Sequence, residues 1–192
     1  LSITLVGEAS RNRVLTRKGA QAGDLLYVTG TLGNSALGLE ALKKKKIAGY
    51  RSFIQRHTCP PLRIGVGRKL CSLMTHAMID LSDGLAGDLR HILEESNVGA
   101  EVVIDRIPVS PHFLEKARSL RLDPDLLKLA GGEDYELLFT TPPEAKIPFR
   151  IDGIPVTKIG RILSQRSGLR FVDVNGHRIK KEFSGFNHFE TR

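Results

Sequence analysis

Met78-Ile79-Asp80-Leu81-Ser82-Asp83-Gly84-Leu85 sets two carboxylates and a hydroxyl between an apolar run and a helical pattern. Ala77 to Leu81 reads as a short buried strand, while Leu85, Leu89, Ile92 and Leu93 recur at the spacing of one helix face. The junction predicts Ser82 or Asp83 as the helix cap, with Gly84 permitting the sharp turn. Asp80 ends an apolar strand just before that turn, where an unpaired carboxylate is costly. Hard oxygen ligands at a strand end, beside the free N–H groups of a helix start, suit a Mg²⁺ ion carrying phosphates.

On the N-terminal side, Leu25 to Thr29 is a second strand candidate, and Gly30-Thr31-Leu32-Gly33-Asn34-Ser35 turns from it into a helix ending in Lys43 to Lys46. Gly49 is the expected stop. Pro60-Pro61 marks a helix start running through Leu62, Val66, Leu70 and Leu73. Beyond the central stretch, Glu101 to Asp105 reads as a strand, and Ser110-Pro111 as a capped helix start. Tyr135 to Thr140 and Ile154 to Ile162 read as strands, and 170–179 as a hairpin about Asn175-Gly176. Leu1 to Val6 alternates like a further strand. Helices alternate with strands through the middle and a hairpin closes the end. The expected fold is therefore α/β (α+β): a layered domain with a mixed β-sheet flanked by helices.

The 192 residues suffice for one good-sized domain, or one domain plus a fragment of another, and ordinary apolar and charged fractions give no sign of disorder. No apolar run approaches the roughly 18 residues of a membrane span. Cys59 and Cys71 lack zinc-ligand spacing, Cys71 is expected as a buried free thiol, and a reducing, cytoplasmic compartment fits best. A net charge of +8 permits attraction to phosphates of any kind. The lysines after Ser35 to Leu42 complement a helix dipole, and no aromatics interleave with them for base stacking. Neither nucleic acid nor membrane is expected as a partner.

Three further clusters could carry chemistry. Gly30-x-x-Gly33 between strand and helix can hold an anion, but lacks the P-loop ending and the full dinucleotide fingerprint, so tight turning is the commoner reading of these glycines. Gly131-Gly132-Glu133-Asp134-Tyr135-Glu136 is either a solvated acidic turn or a loop presenting Glu133 to a polar or cationic ligand. In Gly185-Phe186-Asn187-His188-Phe189, Phe186 either covers the core or stacks on a flat ring. His188 has no nucleophile motif beside it, and His57 and His76 have no metal-ligand spacing.

Taken together, Asp80-Leu81-Ser82-Asp83-Gly84-Leu85, Gly131 to Leu138, Gly185 to Phe189 and the approach Gly23 to Gly33 resemble the thiamine-monophosphate kinase family, in that family's order and along essentially the whole chain. The resemblance implies the C-terminal fold of aminoimidazole ribonucleotide synthetase-like proteins. It implies ATP- and Mg²⁺-dependent phosphorylation of thiamine monophosphate to the diphosphate, by direct in-line transfer with no covalent enzyme intermediate. Through it, Asp80 and Asp83 are implied metal ligands, Ser82 and Arg17 ATP contacts, and Glu133 and Phe186 contacts to thiamine monophosphate. No residue is implied in acid–base or covalent work. Lys18 departs from the family pattern, which has a small residue after the arginine.

The resemblance also implies a division at residue 22. Residues 1–22 are expected to be the last strand and linker of an N-terminal ATP-binding domain that is otherwise absent, and 23–192 the C-terminal domain. On that reading the chain is a fragment, inactive alone, of a protein that is a homodimer at full length. Two alternatives stand beside it: another ATP-dependent enzyme of the superfamily, selenophosphate synthetase-like, and a basic, non-catalytic binding module.

Overall fold

The structure is a computed structural model, and it describes residues 3–9 and 14–180. Its centre is a mixed seven-stranded sheet. The strands are β1 (Leu25–Thr29), β2 (Ala77–Asp80), β3 (Val98–Val103), β4 (Leu137–Thr141), β5 (Arg150–Ile151), β6 (Ile154–Ser164) and β7 (Leu169–Val172). They lie in the order β2-β4-β1-β6-β3-β7, with β5 paired to β6. All pairings are antiparallel except β3 with β7. The helices are α1 (Asn34–Lys43), α2 (Arg51–Thr58), α3 (Ile64–Leu70), α4 (Leu85–Ser96), α5 (Phe113–Ser119) and α6 (Pro124–Ala130).

Alternation along the strands sorts the apolar side chains into two layers. Leu26, Val28, Leu138, Ile159 and Ile162 join Leu85, Leu89, Ile92 and Leu93 of α4 in one core. Phe139 and Val156 join Val66 and Leu70 of α3 in another, with Tyr27 stacked on Phe139 at 5.4 Å between centroids. A third cluster unites α1, α2 and α5 through Leu37, Ala41, Phe53, Phe113 and Ala117. Among the described residues, no helix is long and apolar enough to cross a membrane.

Several local expectations are corrected. Neither Ser82 nor Asp83 caps α4: Gly84 holds that position at φ 99°, with no side-chain cap. Ser110 does not cap α5 with its side chain; its hydroxyl donates to Asn34 Oδ1 at 2.6 Å, and His112 holds the N-cap position. The helix after Pro60-Pro61 begins only at Ile64 and ends at Leu70. Cys71 is exposed because it lies just past that end. Residues 170–179 turn at Asn175-Gly176 with a single bridge, Val172 to Arg178, while β7 pairs chiefly with β3. Residues 3–9 carry no strand, and Ile3, Leu5 and Val6 are exposed.

Candidate functional site

The site is built where β2 and β4 run side by side. Their antiparallel register puts Asp80 opposite Leu137. Pairing continues into the adjoining loops: Leu81 N–H donates to Glu136 O (2.8 Å), Tyr135 N–H to Leu81 O (2.9 Å) and Glu133 N–H to Ser82 O (2.8 Å). Two motifs some fifty residues apart in sequence thereby form one backbone ribbon. Gly132 makes the approach possible, and Gly131 lets the loop pass close against α6. A Cβ on Gly131 would meet Leu127 O at 2.3 Å, and one on Gly132 would meet Ser82 O at 2.4 Å.

The acids of the 131–136 loop divide by direction. Glu133 and Tyr135 have left-handed backbones (φ 64° and 50°) and exposed side chains, whereas Asp134 and Glu136 point inward and are buried. The Asp134 carboxylate accepts from Gly33 N–H at 2.6 Å and Ser35 N–H at 3.1 Å. It therefore occupies the N-terminus of α1, and the anion held after Gly30-x-x-Gly33 is the chain's own side chain. Glu136 is fully buried and takes a bidentate pair from Arg63, both bonds at 2.6 Å, and a bond from the Thr29 hydroxyl at 2.7 Å. Arg56 adds a longer contact at 3.4 Å. Outside this network, Glu133 Oε2 lies 3.2 Å from His57 Nδ1.

Burial pushes the Asp134 carboxyl up from 3.8 to about 7, against the two N–H donors. The folded state then binds this proton more tightly than the unfolded chain. Its contribution to stability is complete below about pH 4 and is lost as pH rises through about 7. Asp134→Asn should remove a slope approaching ~1.4 kcal/mol per pH unit, so denaturant midpoints at about pH 5 and about pH 8 should differ less in the variant. Equal slopes in the two proteins would contradict the assignment.

On the other side of the ribbon, Asp80 is exposed rather than buried, so no desolvation cost singles it out. It lines an open cleft of about 550 Å³ with Leu15, Thr16, Arg17, Met78 and Glu95. Arg17 lies 3.4 Å from Glu95, with both side chains about half exposed. Such a pair is worth at most about 1 kcal/mol and gives way readily to a better anion. Asp83 is half-buried, and its N–H donates to the buried Asp88 carboxylate at 3.0 Å. Burial pushes Asp88 up to about 6, and the negative charges of Asp83 and Asp80 act the same way, against N–H bonds from Asp83 and Ser82.

Three carboxylates thus concentrate negative potential at this turn, the electrostatic condition a cation needs. Among the described residues, no three His, Cys, Asp or Glu converge as a complete metal cage. Two carboxylates fit an ion such as Mg²⁺, which keeps several waters and takes further oxygens from phosphates.

The structure therefore brings Asp80, Ser82, Asp83 and Glu133 onto one ribbon and sets Arg17 beside Asp80. Phe186 lies outside the described residues. His57 entered the sequence reading only as a histidine without metal-ligand spacing, and Asp134 and Glu136 only as members of the Gly131–Glu136 motif, while Asp88 and Arg63 were not singled out. Only Asp88 left a local signal, as an acid in the first turn of α4.

Residues 21–169 match the family described as AIR synthase related protein, C-terminal domain. The chain belongs to that family. It is 41% identical over 200 residues to the thiamine-monophosphate kinase of Haemophilus influenzae, covering 99% of this chain and 60% of that protein. With the thiamine-monophosphate kinase of Escherichia coli K12 the identity is 39% over 206 residues, covering 100% of this chain and 61% of the relative. The chain thus spans about three fifths of the length of these relatives. A solved structure, AaThiL complexed with AMPPCP and TMP, superposes with a TM-score of 0.78 at 34% identity, over 92% of this chain and 55% of that one.

Proposed function

We propose that this AIR synthase-related domain is the C-terminal part of a thiamine-monophosphate kinase, which transfers the terminal phosphoryl group of ATP in line to thiamine monophosphate. The observation that carries the reading is the β2–β4 ribbon, which sets Asp80, Ser82 and Asp83 next to Glu133. The relatives' name and the ATP-analogue complex of a 34% identical structure support it.

On this reading Asp80 and Asp83 hold Mg²⁺, which when bound neutralises phosphate charge. Arg17 leaves Glu95 to clamp an ATP phosphate, and Ser82 contacts the same nucleotide. Glu133 faces the thiamine end with a carboxylate suited to a cationic thiazolium, and Phe186 contributes a ring face to the same substrate. Both substrates are anionic, so these residues act by neutralising and positioning rather than by moving protons. Residues 1–22 belong to the preceding ATP-binding domain, 23–192 form the C-terminal domain, and the complete protein is a cytoplasmic homodimer.

Calorimetric titration of thiamine monophosphate, with Mg²⁺ present, tests the reading. Glu133→Ala should weaken binding about tenfold, the scale of one lost charge-assisted contact. Equal affinity in both proteins would remove Glu133 from the substrate site.

A further inference from the structure

We propose that His57 is a positioning residue for Glu133, fixing the carboxylate that meets the thiamine end of the substrate; this rests on the reading above. Three elements converge on one nitrogen. His57 Nδ1, at the C-terminal end of α2, lies 3.2 Å from Glu133 Oε2 and 3.0 Å from the Ser35 hydroxyl in the first turn of α1.

Nδ1 has its hydrogen bond with the Ser35 hydroxyl, and the Glu133 carboxylate lies beside the same nitrogen as an ion-pair partner when the ring is protonated. The Ser35 bond fixes the ring, and with it the point at which Glu133 meets it. Ser35 is itself anchored, since its N–H is held by the buried Asp134.

The backbone on either side of Glu133 is equally constrained. Its own φ is 64°, its N–H is bound to Ser82 O, and the next residue is the pinned Asp134. Its carboxylate is about half exposed, and among the described residues His57 is the partner recorded for it. The main chain thus sets where Glu133 starts, and His57 sets where its charge ends. An exposed Glu without that neighbour would sample several rotamers, and ordering it would lower ligand affinity.

The test is a double-mutant cycle read by thiamine monophosphate titration on the unaltered chain, His57→Ala, Glu133→Ala and the double variant. His57→Ala should weaken binding several-fold, by up to about tenfold, and the double variant should be no weaker than Glu133→Ala alone. His57→Asn, whose amide keeps a polar hydrogen within reach of Glu133, should recover part of the affinity, which a purely packing role would not. Equal losses that add in the double variant would overturn the inference, as would full affinity in His57→Ala beside a weakened Glu133→Ala. Unchanged affinity in Glu133→Ala would instead remove the reading beneath it. A ligand-free measurement is independent of that reading: the ring ¹⁵N shifts of His57 should move when Glu133→Ala removes the charge beside Nδ1. Unmoved ring shifts would also overturn the coupling.

Discussion

Replacing Glu136 by Gln is expected to destabilise the fold by about 3–5 kcal/mol. The size follows from what is stranded. Arg63 is 9% exposed in its side chain and gives both of its short bonds to this carboxylate. Without the negative charge, a guanidinium remains in a place that water reaches poorly. The Thr29 hydroxyl, which accepts from Leu137 N–H while donating to Glu136, loses its charged acceptor too. Replacing both partners with apolar residues, Glu136→Leu with Arg63→Met, should recover much of the loss, because neither charge is then abandoned. Urea denaturation of the three proteins measures this. A loss below about 1 kcal/mol for Glu136→Gln would mean that the pair is not ionised in the fold.

Gly132→Ala should impair function beyond its cost in stability. A methyl group there would sit 2.4 Å from Ser82 O, and the obstruction is backbone that no rotamer change can clear. The strands must part, and with them the Glu133 N–H to Ser82 O bond that joins the two halves of the site. Overpacking of this kind costs about 1–3 kcal/mol. On the proposed function, a shift near 1 Å between nucleotide and acceptor contacts can cost about 100-fold in rate, so turnover of a full-length kinase carrying this substitution should fall on that scale. Wild-type turnover in a folded variant would show that the ribbon's spacing is not what aligns the substrates.

Much of the fold was legible because burial writes itself into periodicity. Leu25–Thr29 and Ala77–Asp80 are apolar runs bounded by turn residues, and both are strands. The α4 stripe of Leu85, Leu89, Ile92 and Leu93 is buried as its spacing requires. Short amphipathic pieces were harder. α2 buries only Phe53 within Arg51–Thr58, too little for a periodic signal. α6 carried a local one in Asp123-Pro124, where the aspartate accepts from two N–H groups of the first turn.

The motifs stood out in the sequence, but the contacts between them did not. Nothing local distinguishes Glu133, which faces out, from Asp134 and Glu136, which face in; that is decided by partners on α1, α2 and the Arg63 turn. The adjacency of Ser82 and Glu133 depends on β2 choosing β4 as its neighbour, a long-range pairing that no sequence window contains.

The place of β4 has a consequence for how this domain comes into being. It is inserted between β2 and β1, yet it follows both in the chain by more than fifty residues. A chain growing from the ribosome therefore exposes the facing edges of β1 and β2 to solvent until residues 137–141 have emerged. The bonds from Thr29 to Glu136 and from Gly33 to Asp134 close loops of 107 and 101 residues, and loops of that length close late. The ligand-facing ribbon is thus among the last features to form in synthesis, and a nascent chain stopped before β4 carries two open strand edges that invite misassembly.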